Sequence, residues 1–330
     1  MDAKNPNSDM NPFLESTRRD FLKSATTVTA GLAVPKALEA EATGALPTIS
    51  LGPHRVTRLM VGSNPIRGYS HFNPITNRQM VEWYTEERAA QMLLDCQKAG
   101  INTFQASYFQ DRWVRIMDLF HQKGGQLHWI CLTSAADVIP QVRHPTPEWV
   151  RDGQITAIDA LVKYKPIAMV HHGSHTDFLW RAGKLDYLKA YIDKAHDVGC
   201  LAGISTVNPK TLTTLEGKGF ANDFYMAGLH YLDRSPEEWR KEIGTLPVDE
   251  GWIASDPPRM AEAVRQVKKP VLVYKVLAAG RKCQSEEQKQ EAIVWAYKNI
   301  KPTDATIIGL YPRYSDQVTE TVKMVKQALA

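Results

Sequence analysis

From residue 46 to the C-terminus, short β-branched runs alternate eight times with longer stretches of helical apolar spacing. The predicted strands are Arg58–Gly62, Asn102–Ala106, His128–Thr133, Ile167–His172, Leu201–Ser205, Phe224–His230, Val271–Val276 and Thr306–Leu310. Helical patterns cover 86–99, 112–122, 147–164, 184–198, 209–218, 257–267, 286–299 and 316–328, and Gly100, Gly124 and Gly199 stop three of them before the next strand. Strands joined by single helices must pair in parallel through right-handed crossovers. Eight such units suit a closed (β/α)8 TIM barrel better than an open doubly wound sheet. No Gly-x-Gly-x-x-Gly follows the first strand, which also counts against an open dinucleotide-binding sheet. Ahead of the barrel, residues 48–51 and 54–57 flank Gly52-Pro53 and read as a β-hairpin. No Gly- or Ser-rich linker interrupts residues 43–330, so they read as one domain.

The first 42 residues read as an address. Arg18-Arg19 stand before Phe21-Leu22; a weakly apolar stretch runs from Ser24 to Val34, and Ala40-Glu41-Ala42 offers a cleavage site. This is the twin-arginine export pattern, and the apolar run is too short to span a bilayer. The expectation is a mature protein starting near Thr43, passed through the twin-arginine export machinery to the periplasm or beyond, with no stable membrane span. That route carries folded proteins, so a cofactor can be loaded before export. The net charge of +4 over 330 residues is spread rather than clustered, which argues against a nucleic-acid partner and leaves a small-molecule substrate. Cys96, Cys131, Cys200 and Cys283 form no CxxC pair and read as buried apolar residues, with Cys131 close enough to a strand end to line a site.

Several segments carry a family likeness. Arg55–Gly62 (RVTRLMVG), Ala99–Ala106 (AGINTFQA), Ala202–Pro209 (AGISTVNP), Val271–Gly280 (VLVYKVLAAG) and Ile307–Glu320 (IIGLYPRYSDQVTE) resemble, in order, the first, second, fifth, seventh and eighth strand regions of the aldo/keto reductases. The resemblance spans nearly the whole expected mature chain. It implies NADPH-dependent carbonyl reduction by an Asp, Tyr, Lys and His set, with Ser205 and Arg313 as candidate cofactor contacts. The chain departs from that set: Gln105 stands at the Asp position, Gln110 at the Tyr position with Tyr108 nearby, and Thr133-Ser134 where Thr-Lys is usual. Only the fourth-strand histidine is kept, as His171 or His172. A phenol needs a neighbouring cation to act as an acid at neutral pH, so the usual proton relay is missing.

In such barrels chemistry sits at the C-terminal ends of the strands. Those ends carry Asn64, Gln105, Tyr108, Thr133, His171, His172, His175, Asp177, Ser205, His230, Lys275 and Tyr311, a polar rim that suits a hydroxylated substrate. Strand alternation lets only one of His171 and His172 face inward. His172 and His230, with either Asp177 or His175, have the ligand chemistry of a divalent-metal site. Lys275 is placed either for proton transfer and Schiff-base chemistry or as an anion clamp. Tyr69, Phe72, Trp83 and Tyr84 in the first loop offer a stacking wall for a sugar ring. Three functions stand open: an acid–base enzyme on a sugar-like or polar carbonyl compound, an NADP-dependent oxidoreductase with Tyr108 as proton donor, and a non-catalytic binding barrel.

Overall fold

The structure is a computed structural model that describes residues 45–140 and 142–330. The segment read as an export signal lies outside the described residues. The hairpin forms as expected from β1 (Thr48–Leu51) and β2 (His54–Thr57), with Leu51 opposite His54. Gly52 turns it at φ +55, and a Cβ there would stand 2.7 Å from Leu201, so both the turn and the close fit beneath the barrel select glycine.

Eight parallel strands then close on themselves: β3 (Leu59–Gly62), β4 (Thr103–Ser107), β5 (His128–Thr133), β6 (Ala168–His171), β7 (Leu201–Thr206), β8 (Phe224–Gly228), β9 (Val271–Tyr274) and β10 (Ala305–Gly309), which returns to β3. The chain thus has the expected TIM barrel. Side-chain alternation divides the strands into two sets. Met60, Ile130, Val170, Phe224, Met226, Leu272 and Ile307 fill the interior together with Ile49, Leu51 and Val56 of the hairpin, which therefore plugs the bottom. Val61, Phe104, Cys131, Met169, Ile204, Tyr225 and Val273 face outward into the helical shell. Cys131 is thus a packing residue, whereas Cys283 is exposed rather than buried; all four thiols are free.

The helices are α1 (Asn64–Arg67), α2 (Pro74–Trp83), α3 (Glu86–Lys98), α4 (Gln110–Gln122), α5 (Pro147–Leu161), α6 (Gly173–Arg181), α7 (Leu188–Asp197), α8 (Pro209–Lys218), α9 (Pro236–Ile243), α10 (Asp256–Gln266), α11 (Glu286–Asn299) and α12 (Gln317–Leu329). Four of these, α1, α2, α6 and α9, lie over the strand ends and are additional to the helical spans read from the sequence. Their start signals are local. Asn73 accepts from the Thr76 amide ahead of Pro74, His172 accepts from the Ser174 amide, and Ser235 with Glu238 makes a capping box around Pro236. Among the described residues no helix is long and apolar enough to cross a membrane.

Candidate active site

The C-terminal strand ends open into a cleft of about 480 Å³. It runs from the inward-facing Gln105 and Tyr274, across Gly62 and Gly309, to Gln317 and Thr321 of α12. Gly62 and Gly309 are neighbours in the β3–β10 pairing. A Cβ would come within 3.1 Å of Ile307 at Gly62 and 2.8 Å of Pro65 at Gly309, so this pair keeps the floor open. Tyr69, Ser70, His71 and Phe72, from the turn between α1 and α2, form one wall. Tyr69 and Phe72 are 53% and 48% exposed, which leaves aromatic surface available at the cleft. Trp83 and Tyr84 instead pack edge-on against each other, and both lie against Tyr311, so only half of the expected aromatic wall forms.

Lys275 sits where β9 ends, on the wall of this cleft. Its backbone is left-handed at φ +62, as are Ala278 (+47), Ala279 (+52) and Gly280 (+88). Three non-glycine residues in that region within five positions cost about 1–3 kcal/mol each. The turn bonds to itself, with Ala278 N–H donating to the Lys275 carbonyl and Gly280 N–H to that of Leu277 (both 3.0 Å). Backbone strain concentrated at one strand end is a recurrent mark of a functional site. Burial pushes the Lys275 amine down to about 8; the charges of Glu250 and Asp233 oppose this and Arg281 reinforces it. Trp252 and Tyr274 lie beside it, with ring centres 5.4 and 5.9 Å from Nζ.

Two residues not singled out for catalysis in the sequence reading complete the surroundings of Lys275. His71 Nε2 lies 3.4 Å from Lys275 Nζ, and its Nδ1 lies 2.6 Å from Glu250 Oε1. A carboxylate can only accept, so Nδ1 carries the proton and Nε2 presents its lone pair to the amine. Burial alone would raise the Glu250 carboxyl, but the His71 hydrogen bond and the charges of Lys275 and Arg281 hold it below the usual range. The connection between β8 and β9 delivers Glu250. It is anchored by a buried ion pair of Arg234 with Asp256, whose Oδ2 also accepts from the Tyr231 amide at 3.0 Å. Gly251 presses against Trp239 so closely that a Cβ would lie 2.2 Å from the ring, so only glycine passes there. His71 is itself held at φ +53 by Arg281, which donates to its carbonyl at 2.9 Å and lies over the rings of Phe72 and Trp252.

The other candidates separate. Gln105 faces inward and lines the cleft. Ser205 points into the barrel below it, 3.3 Å from the Tyr274 hydroxyl, which burial pushes above its ordinary value. His171 faces outward, bonded to Thr176 and edge-on to Tyr191 of α7, so His172 is the inward member of the pair. His172 caps α6, lies beside His175, and is lowered to about 3 by burial, then by His175, Arg67 and Lys275. It is therefore a neutral imidazole at physiological pH. His230 packs on Trp252 and falls to about 4, through burial and then Lys275. His230 Nδ1 and Trp252 Nε1 are both buried without a hydrogen-bond partner.

Several candidates are not brought to the cleft. Tyr108 turns outward and stacks on Tyr164, to which its hydroxyl is bonded at 3.5 Å; that bond and burial push it up to about 12. Thr133 faces outward to Gln154 and Tyr191. Asp177 accepts from Thr206 Oγ1 at 2.5 Å and the Val207 amide at 3.0 Å, buried behind β7. Among the described residues no group of three His, Cys, Asp or Glu side chains converges to hold a metal, so His172, His230 and Asp177 do not form the expected ligand set. Arg313 is exposed, 3.3 Å from the Tyr311 hydroxyl, and is not among the residues lining the cleft.

The implied dinucleotide meets a mixed reception. The length of the cleft, from Gln105 to the start of α12, suits an extended molecule. The donor set does not. Lys289, the lysine at the outer end, is held by both Glu286 and Glu320, which place negative charge where a phosphate would need cations. With Tyr108 turned away as well, the residues present do not fit NADP as a reducing cofactor.

No protein-family profile matches the chain, and no curated protein matches it. Solved structures do. A Pseudomonas aeruginosa protein assigned to the aldo-keto reductases is 17% identical, with a TM-score of 0.54 over 86% of this chain and 96% of that one. A glycerol dehydrogenase from Gluconobacter oxydans is 12% identical, with a TM-score of 0.50 over 84% of this chain and 89% of that one. At such identities the likeness is one of fold. The chain is a (β/α)8 barrel with a plugging hairpin and a cleft at its C-terminal mouth, similar in fold to these reductase structures.

Proposed function

We propose that this chain is an acid–base enzyme acting on a small, polar, sugar-like carbonyl compound held in the mouth cleft. The observation that carries this reading is the Lys275–His71–Glu250 chain at the cleft wall. An amine with its ordinary value near 10.5 is almost wholly protonated at neutral pH and is a poor base. Lowered to about 8, Lys275 can both take and return a proton near physiological pH. Burial biases the amine toward the free base, and His71, oriented by Glu250, presents a lone pair that can receive its proton. The shared first step of isomerisation, epimerisation and β-elimination is removal of a proton from the carbon beside a carbonyl, and one poised base serves all three. The Gln105 amide at the inner end of the cleft supplies hydrogen bonds for the carbonyl and hydroxyl oxygens.

The test is a panel of short aldoses and ketoses incubated with purified protein and followed by NMR, with and without NADPH. The expected outcome is nucleotide-independent turnover of at least one sugar and its loss in Lys275→Met. Turnover only with NADPH, oxidised in step with product, would overturn the reading in favour of an oxidoreductase.

A further inference from the structure

The same geometry carries a more specific step, which rests on the acid–base reading above. We infer that Lys275 forms a covalent imine with the carbonyl carbon of its substrate and hands the role of base to the neighbouring His71 Nε2, so that the proton removed next is acidified by a protonated C=N rather than by C=O. The first argument is what surrounds the amine. Among the described residues no carboxylate lies within ion-pair distance of Lys275 Nζ, and its one hydrogen-bonding neighbour is His71 Nε2 at 3.4 Å. An anion clamp or a structural lysine is ordinarily pinned by such a partner, as Lys289 at the far end of the same cleft is by Glu286 and Glu320. Glu250 reaches Lys275 only through the imidazole, so the amine can lose its proton without breaking a direct ion pair. Besides His71, the charged and titratable groups facing it are Glu250, Asp233, Arg281, His172 and His230.

The second argument is placement. The left-handed backbone at Lys275 and at Ala278 to Gly280 holds the residue at the strand end on the cleft wall, between Trp252 and Tyr274, with Gln105 and Tyr274 at the inner end. The ring faces of Trp252 and Tyr274 attract an ammonium only weakly and offer it no hydrogen bonds, so the burial that they provide outweighs that attraction and leaves the amine able to attack. The step balances without an external oxidant or reductant. The lysine ammonium gives one proton to His71 Nε2, and the free amine's lone pair forms a C–N bond to the carbonyl carbon. The carbonyl oxygen takes a proton from the attacking nitrogen as the carbinolamine forms. His71 then returns its proton to the carbinolamine hydroxyl; the C–O bond breaks, water leaves, and a protonated imine remains. Ammonium plus carbonyl becomes iminium plus water, with charge conserved.

Reductive trapping tests this directly. Full-length protein is incubated at pH 7 with dihydroxyacetone and sodium cyanoborohydride, then mapped by peptide mass spectrometry. Dihydroxyacetone is a small polar ketone that a cleft of about 480 Å³ admits. A lysine near 8 holds about 300-fold more free base at pH 7 than one at the ordinary value. Lower intrinsic nucleophilicity offsets part of this, leaving an expected preference on the order of tenfold for Lys275 over the average lysine. Glu250→Gln, which removes the charge that stabilises a protonated His71, is expected to slow labelling at Lys275 severalfold and leave other lysines unchanged. Labelling spread evenly over the surface lysines, or absent from Lys275, overturns the imine. Nucleotide-independent turnover without trapping leaves Lys275 a proton carrier only, and absence of both removes the acid–base reading too.

Discussion

Replacing Lys275 by Met should abolish activity and yet stabilise the protein at neutral pH. The two side chains are similar in length, and Met suits a site walled by Trp252 and Tyr274. The depression of the amine from 10.5 to about 8 corresponds to about 3 kcal/mol of folding free energy lost at low pH. Partial solvent access and the loss of a cation beside Glu250 and Asp233 reduce the net gain to about 2 kcal/mol. The sign follows from proton binding. Between about 8 and 10.5 the unfolded chain holds the lysine proton and the folded chain does not, so this group's contribution to stability rises with pH there. The wild-type penalty is therefore complete below about pH 8 and gone above 10.5. Urea unfolding of both proteins at pH 7 and pH 10 reads this difference. The variant should lead by about 2 kcal/mol at pH 7, with most of that lead gone at pH 10. A variant less stable than wild type at pH 7, or a gap that does not change with pH, refutes the account of a desolvated, poised amine.

Three further outcomes follow from the same structure. Asp177 is raised to about 7, chiefly by burial, so the folded state holds its proton more tightly between 3.8 and 7 and this group's contribution to stability falls as pH climbs through that window; Asp177→Asn should flatten the slope in urea titrations from pH 4 to 7. Thr133→Val removes the hydroxyl that ties Gln154, Tyr191 and the Val170 carbonyl together behind the site, and should cost about 1–3 kcal/mol in unfolding experiments. Tyr69→Ala with Phe72→Ala strips the exposed aromatic wall, and should raise KM about fivefold for a sugar substrate, equivalent to about 1 kcal/mol, with little change in kcat or melting temperature.

The barrel was legible because its signal is repeated. Eight alternations fix the topology even when single boundaries drift, and the pleat then settles which of His171 and His172 faces inward once β6 is seen to place Met169 outward and Val170 inside. Lys275 and Gln105 were legible for a related reason, since both sit at or near strand ends where the chain's direction dictates exposure to the mouth. Tyr108 illustrates the limit. It lies only three residues past Gln105, but inward Ser107 ends β4 and the next side chain turns to the shell, where Tyr164 and Trp113 hold it. Asp177 likewise belongs to α6, and its carboxylate is used by the Val207 amide and the Thr206 hydroxyl. His71 and Glu250 left no signal of partnership, because they are separated by 179 positions on irregular connections and meet only through tertiary packing by Arg281, Trp239 and the Arg234–Asp256 pair. Spacing rules report neighbours on one element; they are silent on loops that meet over a barrel mouth.

Proton exchange at carbon is the most direct measure of the central claim that Lys275 is the acid–base group of this barrel. Protein and a responsive sugar from the panel are held in D2O without nucleotide, and the loss of the C–H signal beside the carbonyl is followed by NMR. The account predicts exchange into the substrate that falls at least about 100-fold in Lys275→Met, in line with the usual contribution of a general base. Exchange at an equal rate in the variant, or turnover with solvent deuterium excluded from that carbon, would contradict it.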